Sequence, residues 1–355
     1  MKRVFRFPAS SKSQTGLSLI ELMIALLLGT ILTVGLVQVF TSNSQSFRNN
    51  ESSARTLESG RIAADILSRA IRNAGFFGCY PVEAITNNLN PANAVLHGFA
   101  TYGVSARASE RPVAATIPNT DFFNVTGVRR PGAIVKLAAD LTDTTDIRLN
   151  DAGRFGENDL IYITNCERGD IFQIADDPVV AGTEFRITAD NDGTAPGNNL
   201  SSSSALGLCT TPNACLSSVY ARGTEIFQPY SEAYFIGAAA GPGNTRSLFM
   251  RQADGTDIEL VSGVEDMKVQ FGEGTVDAGV QNWRDATAVS TWENVQAIEI
   301  SLLVAGPNAN VMASAQKVCF PGWEDCVADP TKLVTVADNR LHRVYTFTGA
   351  LRNSF

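Results

Sequence analysis

The feature that constrains this chain most is the run Leu17 to Phe40, LSLIELMIALLLGTILTVGLVQVF, in which Glu21 is the only ionisable side chain. A helix over this run is about 36 Å long, enough to cross a bilayer core of about 30 Å. Ahead of it, Met1 to Gly16 carries Lys2, Arg3, Arg6 and Lys12 and no acid. Such a basic flank orients the span with its leader in the cytoplasm and the rest of the chain outside. The remainder must therefore build its core without the most apolar segment it owns.

Several kinds of segment share this outline. A cleaved secretory signal has a shorter apolar run and a small-residue cleavage site, whereas this run passes into Thr41-Ser42-Asn43-Ser44-Gln45. No Cys lies near it for lipid attachment, and no Arg pair marks a twin-arginine leader. A plain signal anchor leaves Glu21 unexplained, because a carboxylate four residues inside an apolar run is costly in lipid unless a partner meets it or the interface hydrates it. The combination Gly16-Leu17-Ser18-Leu19-Ile20-Glu21, behind a basic leader and before a long apolar run, closely resembles the prepilin motif of type IV pilins and pseudopilins. That resemblance implies a prepilin peptidase cutting after Gly16 and methylating the new terminus at Leu17, a position where most members carry Phe. It also makes Glu21 the assembly residue, set beside the N-terminal amine of a neighbouring subunit. Two opposite charges in low dielectric are each expensive alone and tolerable as a pair. Removing residues 1–16 leaves 355 − 16 = 339 residues and a formal charge of −8 − 4 = −12.

From Thr41 the sequence turns polar, yet it contains no Pro up to Cys79 and keeps a helical stripe. Ala63, Leu67, Ile71 and Ala74 recur on one face, flanked by Ile62, Ile66 and Ala70. Glu51 with Arg55, and Asp65 with Arg69, stand four apart in the favourable acid-first order. The helix is predicted to stop at Asn73-Ala74-Gly75, where Gly takes a left-handed cap. We place the long N-terminal helix in 17–77, with 17–40 as its membrane half and the later half lying on a head. Gly29 and Gly35 weaken the projecting half or are ordinary small residues of a membrane helix.

The head, 78–355, reads as short strands and turns with no second helical stripe. Leu160 to Ile163 and Ile171 to Ile174 are strand candidates around a turn at Asn165 to Asp170. Met267, Val269 and Phe271 alternate with Lys268 and Gln270; Ile298, Ile300 and Leu302 alternate with Glu299 and Ser301; Val344 to Leu351 forms a last strand. Strands that follow one another without helices between them imply an antiparallel sheet, so the expected fold class is α+β. Ala189 to Ser218 and Ala238 to Thr245 are read as surface loops, and Val82 to Thr120 as an insertion on the sheet.

Chemistry is sparse. The six cysteines, Cys79, Cys166, Cys209, Cys215, Cys319 and Cys326, point to disulfides in an exported head and allow 15 pairings. The favoured set closes two short loops, Cys209 with Cys215 and Cys319 with Cys326, and ties the helix end to the sheet through Cys79 and Cys166. No C-x-x-C pair supports zinc, and His97 and His342 are isolated, so no metal or cofactor is expected. Asp190 to Gly193 lacks the spacing of a regular calcium loop, which leaves only an irregular site open. No nucleophile elbow, zincin pair or dinucleotide fingerprint occurs, and Asp176-Asp177 and Glu265-Asp266 read as solvated turn charges. Nothing specifies an enzyme. A net charge of −8 disfavours nucleic acid as a partner.

The blocks Arg61 to Leu67, Ile71 to Cys79, Leu160 to Cys166, Val264 to Gly272 and Leu351-Arg352-Asn353 look like those of the PilW family of type IV pilus minor pilins. The resemblance implies a pilin-like fold and a low-abundance subunit that helps prime pilus assembly. It would sit in the inner membrane before assembly and near the pilus tip afterwards, with other minor pilins, the major pilin and a large tip adhesin as neighbours, supporting adhesion or twitching motility. Two other readings stay open: a pseudopilin of a secretion or DNA-uptake machine, and a membrane-anchored binding module.

Overall fold

The structure is a computed structural model that describes residues 16, 18–79, 84–90, 103–112, 117–191, 196–204, 206–239, 245–275 and 277–353. A single α-helix, Leu19–Asn73, begins at Ser18, whose carbonyl accepts from the Glu21 and Leu22 amides at 3.0 and 3.1 Å. At about 1.5 Å per residue its 55 residues extend roughly 82 Å. It stops at Asn73-Ala74-Gly75 as predicted, short of the outer bound of the 17–77 segment: Ala74 leaves the helical region, and Gly75 takes φ +73° and donates to the Thr126 carbonyl at 2.9 Å. The left-handed turn thus directs the chain straight into the sheet.

The two halves of the helix differ in what they touch. No residue of its most apolar window is buried. From Ser52 onward one stripe disappears into the head: Ser52, Thr56, Gly60, Ala63, Leu67 and Ile71 are all buried. Ala63, Leu67, Ile71 and Ala74 are fully enclosed, as the spacing predicts, and the stripe continues upstream with small and hydroxylated residues. Each buried Leu or Ile contributes about 1.5–3 kcal/mol. Asp65 pairs with Arg69 along the exposed face, while Glu51 accepts from Asn308 Nδ2 at 3.1 Å, helping to seat the helix.

The head is mostly antiparallel. Four strands, ordered Gly279–Arg284, Val264–Thr275, Val295–Ala305 and His342–Ala350, form the sheet on which the helix lies. Met267, Val269 and Phe271 face Leu302, Ile300 and Ile298 across it, and with Leu67 and Ile71 they make one core. Ser301, expected on the solvent side, is buried because the Cys319 loop covers it; its hydroxyl accepts from the Gly322 amide at 2.9 Å. A second sheet of nine strands is organised by Glu225–Ala238, which pairs with Phe122–Arg129 and Arg246–Arg251. The hairpin Leu160–Thr164 with Arg168–Gln173 belongs to it, with a tighter turn than expected, since Gly169 and Asp170 already pair with Thr164 and Ile163. The stretch read as an insertion supplies Ala84–Asn87, a parallel neighbour of Arg168–Gln173, and Val104–Ser105 on Phe122–Arg129. The strands flanking the Ala238 to Thr245 loop end at Ala238 and restart at Arg246; residues 240–244 lie outside the described ones.

Candidate assembly site

Two regions carry the residues that could act in assembly. At the N-terminus, Gly16 is exposed and a Cβ placed on it would meet nothing within 4 Å, so nothing in this structure dictates a glycine there. Leu17 lies outside the described residues, as do 1–15 and His97. Glu21 sits in the first helical turn and is exposed, as are Leu22 to Phe40 on every face. A helix bare all round over this length has no core of its own to join and needs lipid or other helices. No ligand set of three or more His, Cys, Asp or Glu occurs among the described residues.

At the other end, the helix is locked to the head by a polar and glycine seam. The Tyr345 hydroxyl donates to the Thr56 carbonyl at 3.1 Å, Arg343 donates to the Ser53 hydroxyl at 3.0 Å, and the Thr56 hydroxyl donates to the Ser52 carbonyl at 2.6 Å. Beyond Asn73 the helix carbonyls are taken up by side chains: Tyr230 donates to Asn73 O at 3.0 Å and Asn353 Nδ2 to Ala74 O at 2.9 Å. Burial and the neighbouring Glu232 carboxylate push the Tyr230 phenol up against the opposing pull of Arg129, so it remains a donor. The blocks around Ile71 to Gly75 and Leu351 to Asn353, far apart in sequence, thus meet at one corner.

The cysteines pair as Cys79–Cys166, Cys209–Cys215 and Cys319–Cys326, with Cα separations of 5.5, 5.7 and 5.8 Å. The first joins the segment just past the helix to the turn after Leu160–Thr164. Charges expected to be solvated divide. Asp176 and Asp177 do cap a loop, accepting from Thr188 Oγ1 at 2.7 Å and the Glu157 amide at 2.8 Å. Glu265 and Asp266 instead begin the strand Val264–Thr275, half-buried, with Arg340 at 2.6 Å from Glu265. His342 is buried, its Nδ1 3.0 Å from the Arg340 carbonyl. Sequence reasoning missed Asp170, a fully buried carboxylate accepting from Asn88 Nδ2 at 2.8 Å, Ser217 Oγ at 2.7 Å and Tyr220 Oη at 2.5 Å. These donors come from two segments far from Asp170 in sequence, and no local signal marks them; the network is satisfied and holds the end of the Ala189 to Ser218 loop to the sheet.

Comparison with known proteins agrees with this division. Residues 233–353 match the family described as Type IV Pilus-assembly protein W, and residues 11–37 match the prokaryotic N-terminal methylation motif. No curated protein and no solved structure matches the chain. The first match begins inside Glu225–Ala238 and takes in the whole four-stranded sheet that carries the helix. The second spans the Gly16 to Glu21 motif and most of the bare apolar run. The helix-bearing sheet is therefore similar to the PilW family of type IV pilus-assembly proteins over residues 233–353, and the N-terminus carries a prepilin-type methylation motif over residues 11–37.

Proposed function

We propose that this chain is a minor pilin that helps prime type IV pilus assembly and sits near the pilus tip. The observation that carries the reading is a helix bare over its apolar half and locked over its other half to a PilW-type sheet, with the prepilin motif at its free end. A prepilin peptidase cuts after Gly16 and methylates Leu17. Glu21 then meets the amine of a neighbouring pilin inside the helical array, where an unpaired carboxylate is costly. Before assembly the chain is a single-pass inner-membrane protein with a periplasmic head, and its partners are other minor pilins, the major pilin and a large tip adhesin at the cell surface. The pseudopilin alternative shares this geometry and differs in the filament it joins.

The test uses a deletion strain complemented with the wild type or Glu21→Leu. Deletion should reduce the number of surface pili more than their length, and Glu21→Leu should be processed normally yet be absent from the sheared pilus fraction. Mass spectrometry of the wild type should find an N-methylated Leu17 terminus. Normal piliation without the protein rules the reading out, and a loss of secretion or DNA uptake with intact pili favours the pseudopilin.

A further inference from the structure

The corner where the helix ends opens into a cleft of about 510 Å³ whose walls include Arg72, Arg129, Arg130 and Arg352 against one carboxylate, Glu232. The chain as a whole has 28 Lys+Arg against 36 Asp+Glu, so four arginines around one opening are a local reversal of its sign. Two of them are engaged: Arg130 Nε lies 2.6 Å from Glu225, and Arg129 Nη1 lies 3.6 Å from Glu232 while its guanidinium faces the Tyr230 ring at 5.7 Å. Arg72 and Arg352 form no ion pair with a described residue, and both are exposed. They reach the cleft from opposite ends of the chain, one in the last helical turn and one beyond the last strand.

We propose that this cleft binds a carboxylate-bearing peptide segment of another protein, with Arg72 and Arg352 as its anchors. Guanidinium forks bind carboxylates through paired charge-assisted hydrogen bonds. The cleft also offers apolar wall, since Phe76 is 40% exposed beside Tyr230 and Val128, and that mixture suits a segment with both acidic and apolar side chains. A nucleic-acid backbone fits less well. Glu232 stands in the wall, and the net −8 field repels a polyphosphate that extends past the cleft. If the protein is a pilin, the cleft lies at the end of the helix opposite its membrane half, within reach of a neighbouring subunit's head; this placement alone rests on the proposed function.

The test measures fluorescence anisotropy of a labelled peptide of alternating glutamate and leucine with the purified full chain in detergent. Binding should weaken with salt, fall roughly tenfold or more for the same peptide with glutamine in place of glutamate, and fall similarly in Arg72→Gln/Arg352→Gln. The control pair Arg61→Gln/Arg222→Gln removes the same charge outside the cleft and should bind as wild type. Thermal midpoints establish that each variant is folded, and Arg352→Glu serves if the double variant is not. The proposal is overturned if the peptide does not bind, if the control pair weakens binding as much as the cleft pair, or if oligothymidylate binds more tightly than the peptide. Because this assay needs no pili, it reads the cleft separately from the role in assembly.

Discussion

At Gly60 the helix and the strand His342–Ala350 meet with no room for a side-chain atom: a Cβ there would stand 2.3 Å from Tyr345 Cε2. The ring cannot yield freely, because its hydroxyl is held by Thr56 O. Gly60→Val should therefore lower stability by about 1–3 kcal/mol, the usual cost of overpacking, read as a drop in thermal midpoint with loss of helix protection in hydrogen exchange around residues 52–71. An unchanged midpoint would mean that the helix is not seated here. Asp266 gives a residue-scale effect of opposite sign. Burial, reinforced by Asp121 and opposed by Lys268 and Arg246, pushes its carboxyl up to about 6 from 3.8. A raised folded-state value favours the neutral form, so its contribution to stability is complete below about pH 4 and is lost as pH rises through 6. Asp266→Asn stays neutral throughout. The variant should match wild type below pH 4 and exceed it by about 3 kcal/mol above pH 6, measured by urea denaturation at a series of pH values.

At the scale of elements, the joint between helix and sheet is closed covalently by Cys79 and Cys166, 87 positions apart. Closing a loop of that length restricts the unfolded chain by about 4–5 kcal/mol on the chain-entropy model, against about 2 kcal/mol for the loops closed by Cys209–Cys215 and Cys319–Cys326. Cys79→Ser/Cys166→Ser should accordingly destabilise more than either other double variant, shown by urea midpoints under oxidising conditions. Equal losses from all three pairs would contradict this ranking. The helix end would still be anchored by Tyr230, Asn353 and Gly75, so the helix should remain in place in the far-ultraviolet spectrum.

For the whole molecule, the separation between a bare helical half and a buried half predicts that stability resides in the head and its seam. The most apolar window contributes nothing to the core. A version starting at Glu51 keeps Ser52 through Ile71, the entire buried stripe. It should be soluble without detergent and unfold within about 1 kcal/mol of the full chain, because no burial is removed. A large loss would show that residues upstream of Glu51 support the head. The same truncation should abolish entry into pili, since it removes Glu21 and the helix that would contact neighbours.

Much of this architecture is written in local pattern. The apolar run, the Ala63 to Ala74 stripe, the stop at Gly75 and the alternation of Met267 to Phe271 against Ile298 to Leu302 depend on helical and strand periodicity, which neighbouring residues set by themselves. The prepilin motif is legible for the same reason, being contiguous. What only the tertiary structure decided are the matters set by chain segments that meet from afar. Ser301 is buried where the Gly322 amide reaches it from the Cys319 to Cys326 loop, Glu265 finds Arg340, Asp170 gathers donors from Asn88, Ser217 and Tyr220, and Arg72 and Arg352 line one cleft although 280 positions separate them. Burial and electrostatic environment are properties of the folded surroundings rather than of sequence spacing. The periodicity therefore determined the elements and the motif, and the packing of the helix against the C-terminal sheet determined the site at its end.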